Sequence, residues 1–116
     1  MDIGVPTEIK TAEKRIGLTP GATNELTSLG HKVVIQSGAG TGAGYEDSSY
    51  QEAGASIVSS AQEVFDSSEM IVKVKEPQAV ERAMLQPHHI LFTYLHLAAD
   101  KPHTDALLAS KATCIA

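Results

Sequence analysis

Among the side chains in this sequence that can move protons or grip anions, three stand out because each follows an apolar run. Lys75 closes Met70-Ile71-Val72-Lys73-Val74, His96 follows Ile90-Leu91-Phe92-Thr93-Tyr94-Leu95, and Arg15 lies in the polar stretch after Ile3-Gly4-Val5. The two longer runs have the near-continuous apolar character of strands buried on both faces. In open α/β sheets ligands bind beyond the carboxyl ends of the strands, so titratable residues at such ends define a candidate site.

Each of the three has a functional and a plain reading. Lys75 can donate to a substrate carbonyl or carboxylate, or it can carry its ammonium to solvent from a strand terminus. Lys73, two residues earlier and on the same face, is the better candidate for that second behaviour. His96 has a reference pKa of about 6.5, which suits proton transfer near neutrality, yet a histidine between Leu95 and Leu97 also fits a satisfied core or edge position. Arg15 is either a solvated loop residue or, if its loop meets Lys75 and His96 at one mouth, a bidentate ligand for a carboxylate. His88-His89 form a turn between Pro87 and Ile90 without cysteine or carboxylate neighbours, a poor metal site, and His31 and His103 read as surface residues. No metal site is expected.

The elements that must position these residues alternate regularly. Ile3-Gly4-Val5 is a short first strand closed by Pro6, and the residues from Thr7 to Gly17 form a polar loop at its carboxyl end. Thr19-Pro20 opens a helix that Gly30 ends. His31–Gln36 is a second strand, a short helix covers Asp47 to Ala53, and Ser56–Val58 is a weak third strand. Ser60 caps a helix from Ala61 to about Ser67, with Glu63 as the reciprocal half of a capping box. Met70–Lys75 is the fourth strand, and Pro77 starts a helix with Val80, Met84 and Leu85 on one side. Ile90–Leu95 is the fifth strand, a helix spans Pro102–Ser110, and a sixth strand begins at Thr113. Such alternation gives βαβ units with right-handed crossovers, hence an α/β, doubly wound, mainly parallel sheet of the Rossmann-like or flavodoxin-like kind, with helices on both faces.

The glycine-rich stretch Ser37-Gly38-Ala39-Gly40-Thr41-Gly42-Ala43-Gly44 invites a dinucleotide reading that its register refuses. Starting from Gly38 the pattern G-x-G-x-x-G requires glycine at 43, which is Ala43, and starting from Gly40 it requires glycine at 45, which is Tyr45. The acidic Glu46 and Asp47 that follow suit a pyrophosphate poorly, so the stretch reads as a turn packed closely on the sheet. No cofactor-binding residue is expected within these 116 residues.

Composition narrows the class. A length of 116 residues is about one domain. A net charge of −5 with nine Lys and Arg argues against nucleic-acid binding. The single cysteine, Cys114, fits a reducing compartment, no secretory signal is visible, and no apolar run reaches the ~20 residues of a membrane span, so a cytoplasmic location is expected. The run Ala112-Thr113-Cys114-Ile115-Ala116 resembles the start of a buried strand, which suggests a fragment of a longer chain.

Five segments together carry a resemblance to a known family. Gly4-Val5-Pro6-Thr7-Glu8-Ile9-Lys10, Glu13-Lys14-Arg15-Ile16-Gly17-Leu18-Thr19-Pro20, Gln36-Ser37-Gly38-Ala39-Gly40, Lys73-Val74-Lys75-Glu76-Pro77 and Thr93-Tyr94-Leu95-His96-Leu97-Ala98 resemble, in order, the amino-terminal part of bacterial alanine dehydrogenase. The resemblance implies reversible oxidative deamination of L-alanine to pyruvate and ammonium with NAD. It implies that Arg15 pairs with the substrate carboxylate, that Lys75 polarises the pyruvate carbonyl, and that His96 is the general acid-base. Tyr94 and Glu8 would line the same pocket. It further implies that NAD is held by a separate Rossmann domain, that this substrate-binding domain (residues 1–116) is inactive alone, and that the assembly is hexameric. Related alternatives are the nucleotide-binding subunit of proton-translocating transhydrogenase and a saccharopine-type dehydrogenase. A non-enzymatic flavodoxin-like module is the remaining one.

Overall fold

The computed structural model of the chain describes residues 1–93 and 101–115. Twelve elements follow in order: β1 (Asp2–Val5), α1 (Pro20–Ser28), β2 (Lys32–Gln36), a 3₁₀ turn (Thr41–Ala43), α2 (Asp47–Glu52), β3 (Ser56–Val58), α3 (Ala61–Ser67), β4 (Met70–Val72), α4 (Ala79–Arg82), β5 (Ile90–Phe92), α5 (Lys101–Ser110) and β6 (Thr113–Ile115). All five strand pairings are parallel, and the spatial order is β3-β2-β1-β4-β5-β6. The expected α/β doubly wound architecture is therefore present; four of the five crossovers join adjacent parallel strands, and the one from β3 to β4 passes over β2 and β1.

Local chemistry accounts for the element ends. Thr19 Oγ1 accepts from the Ala22 N–H at 3.1 Å, and Pro20 occupies the first helical position of α1. Gly30, at φ +92°, closes that helix while the His31 N–H donates back to the Leu26 carbonyl at 3.2 Å. At α3 Ser60 accepts from the Glu63 N–H, but the Glu63 carboxylate takes the Ser59 hydroxyl at 2.7 Å, so the expected reciprocal bond is replaced by one to the preceding residue. At α4 the reciprocal bond is present: the Gln78 N–H donates to Glu81 Oε1 at 2.9 Å.

Two apolar clusters cover the two faces of the sheet. Ile3, Val5, Val33, Ile35 and Val72 pack with Tyr50 and Ala55 on one, and Val64, Phe65, Ile71, Leu85, Leu91 and Leu107 form the other. Burying such side chains contributes roughly 1.5–3 kcal/mol each and holds the strands at their spacing. At Gly4 a Cβ would fall 2.1 Å from Ser68 Oγ, so α3 and its following residue lie directly on β1. The helix after Pro77 departs from expectation. It covers only Ala79–Arg82, Val80 is 67% exposed, and the buried member of that turn is Glu81. No helix among the described residues is long and apolar enough to cross a membrane.

Candidate active site

In this strand order the crossovers run to opposite sides on either side of the β1/β4 pair. The carboxyl ends of those two strands therefore flank a crevice, the usual ligand position of an open α/β sheet. The loop after β1 carries Glu8 and Arg15, and the segment after β4 carries Lys73 and Lys75. Gly17 shows how closely the two approach: a Cβ there would sit 2.6 Å from the Val72 carbonyl oxygen, at the last residue of β4. An ion pair between Lys10 and Glu76 joins the same two segments further out.

β4 ends three residues earlier than its apolar pattern predicts, for a reason that belongs to the site. Lys73 still donates its N–H to the Phe92 carbonyl at 3.0 Å, but the next two amides turn to a side chain. Glu8 Oε2 accepts from the Val74 N–H at 2.9 Å and Oε1 from the Lys75 N–H at 3.2 Å. The same carboxylate accepts from Lys73 Nζ at 3.0 Å. Lys73 Nζ also stands 2.9 Å from Glu81 Oε2, an ion pair without hydrogen-bond alignment. The side chains of Glu8, Lys73 and Glu81 are 2%, 1% and 2% exposed, so this is a buried ionic triad.

That geometry corrects the expectation for Lys73. It does not carry its ammonium to solvent; it turns inward between two carboxylates. The signal was present in the sequence, because a lysine between Val72 and Val74 in a strand buried on both faces must find an anionic partner. Glu81 gave no such signal, since its position in a short helix looks like an ordinary solvated one.

Lys75 is positioned quite differently. Its N–H is held by Glu8 and its carbonyl accepts from Thr93 Oγ1 at 2.9 Å, while Thr93 in turn donates its N–H to the Ile115 carbonyl at 3.0 Å. The Lys75 peptide is thus fixed from the β1 side and from the β5 side. Its ammonium has no hydrogen-bond or ion-pair partner among the described residues.

Arg15 is 67% exposed and grips Glu13, with Nε 3.0 Å from Oε2 and Nη2 2.8 Å from Oε1. The Arg15 amide also donates to Glu13 Oε2 at 2.8 Å. These hydrogen bonds from Arg15 hold the Glu13 carboxyl down at about 2, with a smaller pull from the Lys75 cation. Arg15 is itself raised, first by Glu13 and to a lesser degree by Glu8. The loop cations and the β4 residues therefore share one electrostatic neighbourhood. Tyr94 and His96, the other two expected site residues, lie outside the described residues.

Other expected or tempting sites resolve plainly. In the glycine stretch the Gly38 N–H donates to Asp47 Oδ1 at 2.9 Å and Ser37 Oγ to Asp47 Oδ2 at 2.8 Å, so a carboxylate of this chain occupies the amide that a phosphate would need. Those residues do not fit a dinucleotide. His89 belongs to the turn before β5 yet is 1% exposed. Its Nδ1 accepts from the Gln86 N–H at 2.9 Å, which leaves Nε2 to donate to the Phe65 carbonyl at 2.7 Å, and burial pushes its pKa down. It is a neutral core histidine. Among the described residues no group of three His, Cys, Asp or Glu is arranged to hold a metal. A depression of about 920 Å³ opens at the amino ends of the strands, beside Asn24, His31 and Glu52, the end of a parallel sheet where ligands seldom bind.

Comparison with known proteins agrees with the architecture. A family model described as alanine dehydrogenase/PNT, N-terminal domain, matches residues 4–116. Alanine dehydrogenases of Mycolicibacterium smegmatis and Halomonas elongata are 51% and 50% identical over 116 residues, covering all of this chain and 31% of each relative. The alanine dehydrogenase of Bacillus subtilis is 47% identical over the same span, 30% of its length. A solved L-alanine dehydrogenase superposes with a TM-score of 0.97 at 48% identity, over all of this chain and 32% of that one. A transhydrogenase from Sinorhizobium meliloti superposes with a TM-score of 0.92 at 23% identity, a likeness of fold, over 33% of its chain. The chain thus spans about a third of the length of the relatives it matches.

Proposed function

The chain belongs to the alanine dehydrogenase/PNT family as its amino-terminal domain, and from that premise we propose that it is the substrate-binding domain of an L-alanine dehydrogenase. The reaction is the reversible, NAD-dependent oxidative deamination of L-alanine to pyruvate and ammonium. The observation that carries the reading is the presence at one sheet switch point of Lys75, fixed by its backbone and with an ammonium unpartnered among the described residues, and of Arg15, in a chain about half identical to alanine dehydrogenases.

Arg15 binds the substrate carboxylate. Its Nη1 has no partner among the described residues, and the Glu13 pair presents the guanidinium edge at a set angle, so a carboxylate can dock with little further ordering. Lys75 donates to the carbonyl oxygen of pyruvate, and its cation favours the negative charge that develops there as the carbon is attacked. His96 takes and returns the proton of the water that adds to the imine and of the carbinolamine that collapses, work suited to an imidazole near neutral pH. Tyr94 lines the pocket, and Glu8 supports it. Because the glycine stretch does not fit a dinucleotide, we assign the NAD site to a separate Rossmann domain, and expect residues 1–116 alone to be inactive. A hexameric, cytoplasmic enzyme completes the reading.

The test is NADH formation by the full-length protein. Alanine-dependent reduction of NAD is the expected result. Reduction with saccharopine instead would favour the saccharopine-type alternative, and hydride exchange between nucleotides without any amino acid would favour a transhydrogenase component.

A further inference from the structure

Of the buried triad only Glu8 has been given a place at the pocket; Lys73 and Glu81 have none, and their side chains are 1% and 2% exposed. Burying two carboxylates and one ammonium is costly, and apolar side chains of similar volume would commonly be neutral or better for stability. The arrangement is accounted for by what Glu8 does with its other lone pairs. It accepts the two amides that leave the β4 ladder, at Val74 and Lys75, and so draws this segment out of strand geometry just where Lys75 must face the crevice. Lys73 holds Glu8 in that orientation from beneath, and Glu81, itself fixed by the Gln78 N–H at 2.9 Å, holds Lys73 from the far side.

We infer that Glu8, Lys73 and Glu81 form a buried ionic clamp that positions Lys75, setting the direction of its ammonium without touching substrate. The inference deepens the alanine dehydrogenase reading and rests on it for the identity of the ligand. Thr93 closes the clamp on the opposite side by donating to the Lys75 carbonyl, so the backbone N–H and C=O flanking the Lys75 Cα are engaged from different strands' ends. A substrate-binding lysine on a peptide held at both ends loses little freedom on binding, and so its affinity is not spent on ordering it.

The test combines a functional cycle with a ligand-free measurement on the full-length protein. Glu8→Gln keeps the volume but replaces one acceptor oxygen by an amide that cannot accept from these N–H groups. It is expected to lower kcat/KM for pyruvate at least tenfold in the wild-type background and less than twofold in a Lys75→Ala background, because residues that act through one another are not additive. Equal losses in both backgrounds, or no loss in the first, would overturn the clamp. Without any substrate, amide hydrogen exchange at Val74 and Lys75 is expected to accelerate at least tenfold in Glu8→Gln, and unchanged protection would overturn it as well. If Glu8→Gln fails to fold, Glu8→Asp keeps the charge opposite Lys73 while retracting by one methylene, and the same acceleration is expected there. A wild-type protein without alanine-dependent turnover refutes the proposed reaction, and the exchange measurement then decides the clamp by itself.

Discussion

Two neighbouring loops at the carboxyl edge of the sheet show opposite uses of the same kind of position. The loop after β1 brings charged side chains to the switch point and lays Gly17 against the end of β4. The loop after β2 has more glycine and hence more accessible amides, but Asp47 occupies the Gly38 N–H and the Ser37 hydroxyl. One loop leaves Arg15 exposed at the switch point and sends Glu8 inward to the end of β4, while the other satisfies its Gly38 amide within itself. Glycine content therefore says little about anion binding until the partner of each amide is known.

The comparison is sharpest at Lys75. Lys75→Ala is expected to reduce kcat/KM of the full-length protein by about a hundredfold or more, the usual loss when a donor to a developing oxyanion is removed, with the thermal midpoint little changed. Steady-state kinetics beside a melting curve checks this, and a near-normal rate would remove Lys75 from the site. The second effect is structural. Gly17→Ala places a methyl against the Val72 carbonyl, and a loss of about 1–3 kcal/mol by denaturant unfolding is expected, together with a raised KM for pyruvate as the two segments part. An unchanged KM would separate loop position from substrate binding.

A smaller effect is expected on the other loop. Asp47→Ala should cost about 1 kcal/mol through the lost bonds to Ser37 and Gly38 and leave KM for NAD within twofold. A large change in that KM would show that the glycine stretch does meet the nucleotide. The smallest effect is on ionisation alone. Glu13, held down chiefly by hydrogen bonds from Arg15, should titrate at about 2 by carboxyl-carbon NMR and move up toward the ordinary value of 4.5 in Arg15→Ala. Since the folded-state pKa is depressed, the stability this pair contributes is present above the unfolded value and is lost as pH falls toward about 2. Failure of the Arg15→Ala shift would mean the pair is not formed in solution.

How far the sequence disclosed this molecule differs from residue to residue. Strand and helix order followed from short apolar runs punctuated by Pro6, Gly30 and Pro77, because those residues act through local backbone restrictions. The spacing of the glycine stretch was also legible locally, since register can be counted, whereas Asp47 as the partner of its Gly38 amide was not. The end of β4 was not legible, because Val74 and Lys75 leave the ladder for Glu8, a partner more than sixty residues earlier. Lys73 was misread although its place between Val72 and Val74 called for an anionic partner, and Glu81 was missed because only Lys73 gives it meaning. His89 looked like a turn residue until Phe65 supplied the carbonyl that holds it. Long-range polar pairing, unlike periodicity, leaves no repeating trace in the chain.

The sequence separation within the clamp also sets an order of events in time. Glu8 and Lys73 are 65 residues apart, and β1 takes Met70 and Ile71 as partners only after β2 has already paired on its other side in the chain order. At synthesis rates of roughly 5–20 residues per second, Glu8 waits roughly 3–13 s for its lysine. Through that interval the first strand has one edge paired and one edge open, beside a carboxylate whose burial must be deferred. β1 is thus completed only when β4 arrives, after β2 and β3 have been made, and the mouth of the site between β1 and β4 is assembled only then.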